Sequence, residues 1–186
     1  QELLIDAFSD RELKEVLDEL FIDDAVDIIE EMPANVVKRI LRHTDPVTRK
    51  DINQILQYPK DSAGSIMTTE YVSLKKGMTV AQAFDRIRRT GVDKETIYTC
   101  YVTDYNKQLL GLVSVKELLL SEYNAVINDI METNIISVQT HDDREEVAIK
   151  FDKYDFISLP AVDTENRLVG IVTFDDAIDV LQEEYT

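Results

Sequence analysis

The chain has 186 residues, of which 44% are hydrophobic and 31% charged, and its formal net charge is −17 at pH 7. This is an ordinary globular composition, long enough for one or two cores, and its acidity argues against nucleic acid as a partner, because phosphate contacts want basic surface. No apolar run approaches the roughly 20 residues of a membrane helix, no secretory signal opens the chain, and a lone cysteine, Cys100, excludes an internal disulfide and fits a reducing compartment.

Residues 1–58 read as short helices. Apolar pairs recur at Val16-Leu17, Ile28-Ile29 and Ile40-Leu41, each on a helical stripe such as Leu13, Val16, Leu17, Leu20. Ser9 with Glu12 forms a capping box. Pro33 and Pro46 suit a first helical turn, where no amide bond is lost, and Asp23 and Asp45 are further plausible caps. The stretch QYPKDSAGS (57–65) carries Pro, Gly and Ser and marks a boundary.

After that boundary the chain says nearly the same thing twice. Ile66-Met67 recurs as Ile130-Met131, and GLVSVKEL (111–118) recurs as GIVTFDDA (170–177). The spacing predicts, in the first unit, an extended segment at Tyr71–Leu74 and a helix from Thr79 with Gln82 as its capping partner. The strands Ile97–Val102 and Leu110–Val113 follow, joined by a turn at Asp104–Lys107, and then a helix capped by Ser114. The apolar stripe of the first of these helices includes Val80, Ala83, Phe84 and Ile87. The second unit repeats the order, with an extended piece at Ile135–Val138, a helix from near Asp143, strands Ile157–Val162 and Leu168–Val172, and a last helix capped by Thr173. Cys100 falls in the apolar run and is expected as a buried strand residue. The fold class is therefore α+β, an N-terminal bundle of short helices (1–58) followed by a tandem pair of β-α-β-β-α units at 62–123 and 126–186.

Charge is divided unevenly between these parts. Residues 1–61 carry a net −7, residues 62–125 a net +1 and residues 126–186 a net −11. There is no Gly-rich phosphate loop, no Cys/His metal spacing and no serine elbow, and His43 and His141 sit among polar residues, so an enzyme is not expected. The acids are the remaining candidates. Caps and the helix dipole account for Asp175, Asp176, Asp143 and Glu146. They do not account for Asp179, Glu183 and Glu184, where like charges cost about 0.2–0.5 kcal/mol per pair. A hard divalent cation such as Mg²⁺, which keeps several waters and needs one or two carboxylates, resolves that conflict.

The repeat order and its G-h-h-S/T-x-x-D/E ending resemble the paired cystathionine-β-synthase (CBS) module over residues 62–186. FIDDAVDIIE, DSAGSIMTTEYVSL, ETIYTCYVTD and GIVTFDDAIDVLQEE together resemble the cytosolic part of the MgtE family of magnesium transporters, in which a helical N domain precedes the CBS pair. The resemblance implies Mg²⁺ ions between the N domain and the CBS pair and near the helix leading to the membrane. Matched by position, Asp23 and Asp27 stand for the N-domain ligands, and Asp143, Asp176 and the carbonyl of Ser65 face them, Ser65 replacing the family's usual glycine. Glu145, Asp155, Asp179 and Glu184 match acids near the connecting helix. One further N-domain ligand of the family would lie upstream of residue 1.

The resemblance also implies ATP as a modulator, held by Lys116, Phe156 and Asp176, with Glu117 the counterpart of Asp176. A homodimer through the CBS units follows, as does a membrane domain of the same transporter at the cytoplasmic face of the cell membrane. The expected function is Mg²⁺ sensing that favours a closed pore; the alternative is an adenine-nucleotide-binding CBS regulator of another effector.

Overall fold

The computed structural model describes residues 9–154 and 156–184, in two compact units that divide at Pro59 and Lys60. Asp155 and the side chains of Leu13, Leu17 and Glu184 lie outside the described residues. The first unit holds α1 (Asp10–Glu19), α2 (Ile22–Glu30), α3 (Ala34–His43) and α4 (Pro46–Leu56). α1 packs on α3 and α2 on α4, around Ala25, Met32, Val36 and Ile40. The Ser9–Glu12 box forms, with the Ser9 amide donating to Glu12 at 2.8 Å. Asp45 caps α4 by accepting from the amides of Val47 and Thr48, and Pro46 takes the first position. The expectation for Asp23 is corrected: Phe21 holds the N-cap of α2 and Asp23 sits inside the first turn, where a carboxylate meets the dipole without capping it. Pro33 likewise occupies the N-cap position of α3 rather than its first turn.

The second unit runs α5 (Ala63–Ile66), β1 (Tyr71–Lys75), α6 (Val80–Thr90), β2 (Thr96–Thr103), β3 (Leu109–Ser114), α7 (Val115–Leu120), α8 (Ile127–Ile130), β4 (Val138–Gln139), α9 (Arg144–Tyr154), β5 (Ser158–Val162), β6 (Leu168–Thr173) and α10 (Phe174–Glu184). It contains two three-stranded sheets, β1-β2-β3 and β4-β5-β6, each a parallel pair extended by an antiparallel strand. The capping box of Thr79 and Gln82 is complete, and Ser114 accepts from the Glu117 amide at 3.1 Å. One core lies between helices and the first sheet, with Leu74, Ala83, Val102 and Leu118 in it. A second joins the inner faces of both sheets through Tyr101, Leu109, Val162, Leu168 and Ile171. β2 is therefore covered on both faces, which is why its sequence reads as a continuous apolar run.

The two halves exchange their leading segments, a feature the strand pattern did not disclose. Thr68 and Ile171 trade amide–carbonyl bonds of 2.8 Å each, tying the segment after α5 to β6 of the second sheet. Leu112 and Glu132 do the same at 3.0 and 2.8 Å, tying the segment after α8 to β3 of the first. The amides of Ala63 and Gly64 donate to Asp142 and Thr140, as those of Ile127 and Asn128 donate to Met78 and Lys76. The turns match too: Asp104 and Asp163 each accept two backbone amides, and Lys107 and Asn166 adopt φ of 63° and 62°.

β4 is shorter than the expected Ile135–Val138 segment. Ladder pairing begins at Val138 with Ala161, and the Thr140 amide donates to the Val162 carbonyl, so even-numbered residues of β5 face β4. Pro160 is the next of these, and it has no amide hydrogen to extend the ladder. Its counterpart in the first sheet is Tyr101, which pairs with Ser73 in a full-length β1.

Cys100 is fully buried in β2. Burial pushes its thiol up to about 12, so almost no thiolate exists near neutrality. Iodoacetamide at about pH 8 is expected to label Cys100 only after denaturant is added, with the labelled fraction read by mass spectrometry.

Candidate functional site

The charged residues of interest gather where β6 ends and α10 begins. Thr173 is buried, and its hydroxyl donates to Asp176 Oδ2 at 2.9 Å while the Asp176 amide donates to the Thr173 hydroxyl oxygen at 3.5 Å. Asp175 and Asp176 thus lie in the first turn of α10, where the helix dipole favours negative charge. Glu95 arrives from the start of β2, its amide donating to the Glu70 carbonyl at 3.1 Å and its Oε1 standing 3.5 Å from the Thr173 hydroxyl. Carboxylate oxygens of Glu95 and Asp176 lie within 4.8 Å of one another. This pair of acids around a buried hydroxyl is an all-oxygen donor set, which suits a hard cation such as Mg²⁺.

Glu95 was not singled out from the sequence. It heads the quoted segment ETIYTCYVTD, and the only available signal was an acid immediately before an apolar strand.

A second set of acids lies at the start of α9. Asp143 is exposed and its Oδ1 accepts from the Glu145 amide at 2.8 Å. Asp143 bridges Ser62 across an antiparallel pair, so the turn containing Ser65 lies beside it. The Ser65 hydroxyl donates to the carbonyls of Lys60 and Ser62 at 2.8 and 2.7 Å. The side chain that replaces a glycine therefore braces its own turn. Glu145 and Asp179 are exposed on α9 and α10, and Arg144 ties the two helices by an ion pair with Glu183 at 3.2 Å. Asp27 is exposed on α2 of the first unit, and Asp23 on the same helix is buried.

A cleft of about 330 Å³ opens beside Thr173, lined by Glu95, Thr96, Tyr98, Phe156, Ile157, Thr173, Phe174 and Asp175. The Phe174 amide donates to the Ile157 carbonyl at 2.8 Å and closes its base. Of the residues matched to ATP, Phe156 lines this cleft and Asp176 lies against its wall through Thr173. Lys116 is exposed on α7 and does not line it.

Two β-α-β-β-α halves that exchange their leading segments, with a cleft at the strand ends, define a CBS-domain pair preceded by a helical domain. Residues 63–122 and 127–183 match the CBS domain family, and residues 1–61 match the MgtE intracellular N domain. The magnesium transporter MgtE of Thermus thermophilus is 42% identical over 169 residues, covering 89% of this chain and 37% of the relative. The Bacillus subtilis MgtE is 37% identical over 162 residues, covering 87% of this chain and 36% of its own length. The chain spans about a third of these relatives. Among solved structures, the soluble part of a magnesium transporter matches with a TM-score of 0.94 at 33% identity, over 98% of this chain and 71% of that one. The cytosolic domain of the Mg²⁺ channel MgtE in complex with ATP matches with a TM-score of 0.86 at 38% identity, over 95% and 77%. The chain belongs to the MgtE family. Among the described residues, no helix is long and apolar enough to cross a membrane.

Proposed function

We propose that this chain is the Mg²⁺-sensing regulatory region of a magnesium channel or transporter, working at the cytoplasmic face of the membrane. The observation that carries the reading is the close pair Glu95 and Asp176 at the buried Thr173 hydroxyl, with Asp176 and Thr173 in the half that holds a net −11. Asp23 and Asp27 of the helical unit would supply further oxygens, as would Asp143, the Ser65 carbonyl, Glu145, Asp155, Asp179 and Glu184. Without Mg²⁺ these acids repel and the two units separate. With Mg²⁺ abundant, the ions bridge them and favour the form that holds the pore closed. A millimolar site is worth about 4 kcal/mol at standard state, and moving an equilibrium from 1:99 to 99:1 takes about 5.5 kcal/mol of differential binding. Several weak sites that exist only in the bridged form supply that difference and respond steeply. CBS units of two copies would pair, and a membrane domain of the same transporter would receive the signal.

A second reading, favoured by the cleft at Phe156 and by the ATP-bound relative, is an adenine-nucleotide-responsive regulator. The two readings part under one titration. Millimolar Mg²⁺ at constant ionic strength is expected to shrink the particle in X-ray scattering and to protect the Tyr58–Gly64 join from proteolysis. The double change Asp23→Asn with Asp176→Asn should abolish most of that response. Equal compaction by KCl at matched ionic strength would mean mere screening and would end the sensing reading.

A further inference from the structure

The strand registers relate the two halves of the CBS pair position by position. Val102 pairs with Leu74 and Gly111 in the first sheet as Ala161 pairs with Val138 and Gly170 in the second. Lys75 is therefore the counterpart of Gln139, and Lys76 of Thr140. The exchanged segments agree, since the Lys76 carbonyl accepts from Asn128 as the Thr140 carbonyl accepts from Gly64. The second half keeps the fold without these two cations, so the fold does not require them. They stand in the half of net charge +1 rather than in the half of net −11.

Both lysines line a cleft of about 440 Å³ at the carboxyl ends of the parallel strands β1 and β2, the end at which open α/β sheets take their ligands. Lys75 is half-buried, and its Nζ donates to the Thr103 hydroxyl at 3.0 Å and to the Asp104 carbonyl at 2.9 Å. Both acceptors are neutral, and one of the three N–H groups is left over. Among the described residues, no carboxylate lies within ion-pair distance of either lysine. The Asp104 carboxylate serves its own turn, where Oδ1 accepts from the amides of Asn106 and Gln108 at 2.8 and 2.9 Å. An ammonium held in place, partly out of water and without a counter-ion, attracts an anion more strongly than a mobile surface lysine does. Lys76, exposed beside it, adds a second charge. Met78 and Tyr105, the latter 96% exposed, give the cleft an apolar wall that a bare inorganic anion does not use.

We propose that this cleft binds a phosphate monoester, its phosphoryl oxygens on Lys75 and Lys76 and its organic part on Met78 and Tyr105. Such an ester carries about −1.5 to −2 charges near neutrality, which two ammonium groups match. The site is distinct from the cleft beside Thr173. β2 runs from Thr96 at that cleft to Thr103 at this one, which puts about 20 Å between them. It is independent of the Mg²⁺ reading, because it uses none of the acids assigned there.

The test is calorimetric titration of the full chain with phenyl phosphate, without Mg²⁺ and at constant ionic strength. A second arm measures sedimentation with phosphatidylcholine vesicles that contain phosphatidic acid. The expected result is saturable binding of phenyl phosphate, tighter than that of inorganic phosphate. Lys75→Met should weaken it by about tenfold or more, and Lys76→Ala several-fold. Tyr105→Ala should bring phenyl phosphate down to the level of inorganic phosphate, and Lys116→Ala should change nothing. Binding of the vesicles alone, released by Lys75→Met, would support the same phosphoryl chemistry with a lipid headgroup as its source. Saturation by neither probe, or binding indifferent to both lysine substitutions, would overturn the proposal. Binding abolished by Lys116→Ala would overturn it equally, by placing the phosphate elsewhere. Because Lys76 is exposed, its variant is expected to fold, and an unchanged urea midpoint checks this. The Mg²⁺-induced compaction in scattering should persist in all four variants, so its absence from the unmodified chain would count against the sensing reading alone.

Discussion

Gly170→Val is expected to destabilise the CBS pair by about 3 kcal/mol or more, read as a lowered urea midpoint. A Cβ at Gly170 would stand 2.8 Å from the Thr68 carbonyl oxygen and 2.9 Å from Met67 Sδ. The methionine can swing aside, but the carbonyl cannot, because it accepts from the Ile171 amide at 2.8 Å while Thr68 donates back at the same distance. A branched side chain there separates both bonds and leaves buried backbone groups unpaired. Gly111→Val should behave alike, since its Cβ would meet Glu132 O at 2.9 Å and Met131 Sδ at 2.8 Å. Gly77→Ala is the control: nothing lies within 4 Å and no glycine has positive φ, so the change should be neutral or stabilising by up to about 1 kcal/mol. If Gly170→Val unfolded at the same urea concentration as the unmodified chain, the exchange of leading segments would not exist in solution.

Phe151→Ala is expected to cost about 3–5 kcal/mol and to loosen the cleft. Phe151 is 1% exposed, on the face of α9 that also buries Val147 and Ala148. Its ring meets Phe174 edge-on at 6.3 Å between centroids and 60° between planes, so it supports the aromatic wall from behind. Truncation opens a cavity in the core and lets Phe174 rotate inward. Denaturation should show the first effect, and a weakened near-ultraviolet circular dichroism signal from the aromatic side chains the second. Ile149→Ala on the same helix, 59% exposed, should stay within about 0.5 kcal/mol. An equal loss from both substitutions would mean that α9 does not dock by the face described.

Much of the architecture was legible without coordinates. The caps at Ser9, Asp45, Thr79 and Ser114 form as their local patterns indicate, because a cap needs only a side-chain oxygen and an amide two or three residues away. The strands were legible because β-branched and aromatic runs between turn residues have few other uses. Asp23 was misplaced by two residues, since an aspartate ahead of an apolar stripe serves equally as a cap or as a first-turn acid. The shortness of β4 had a cause in plain view, Pro160, but its effect depends on which way that residue faces in the ladder. Glu95 was passed over because its neighbours in sequence are unremarkable, and its meeting with Asp176 is a contact between residues 81 apart in the numbering.

Composition, periodicity and the repeat determined the helical part, the doubled α/β order and the acidic second half. Each of these is written in interactions a few residues long or in sums over many residues, and neither needs a fold to be read. Only the tertiary structure decided that each half lends its leading segment to the other, that Gly111 and Gly170 are there to admit a carbonyl, and that acids and rings share one cleft. Those outcomes depend on distances between parts of the chain that loop closure alone brings together.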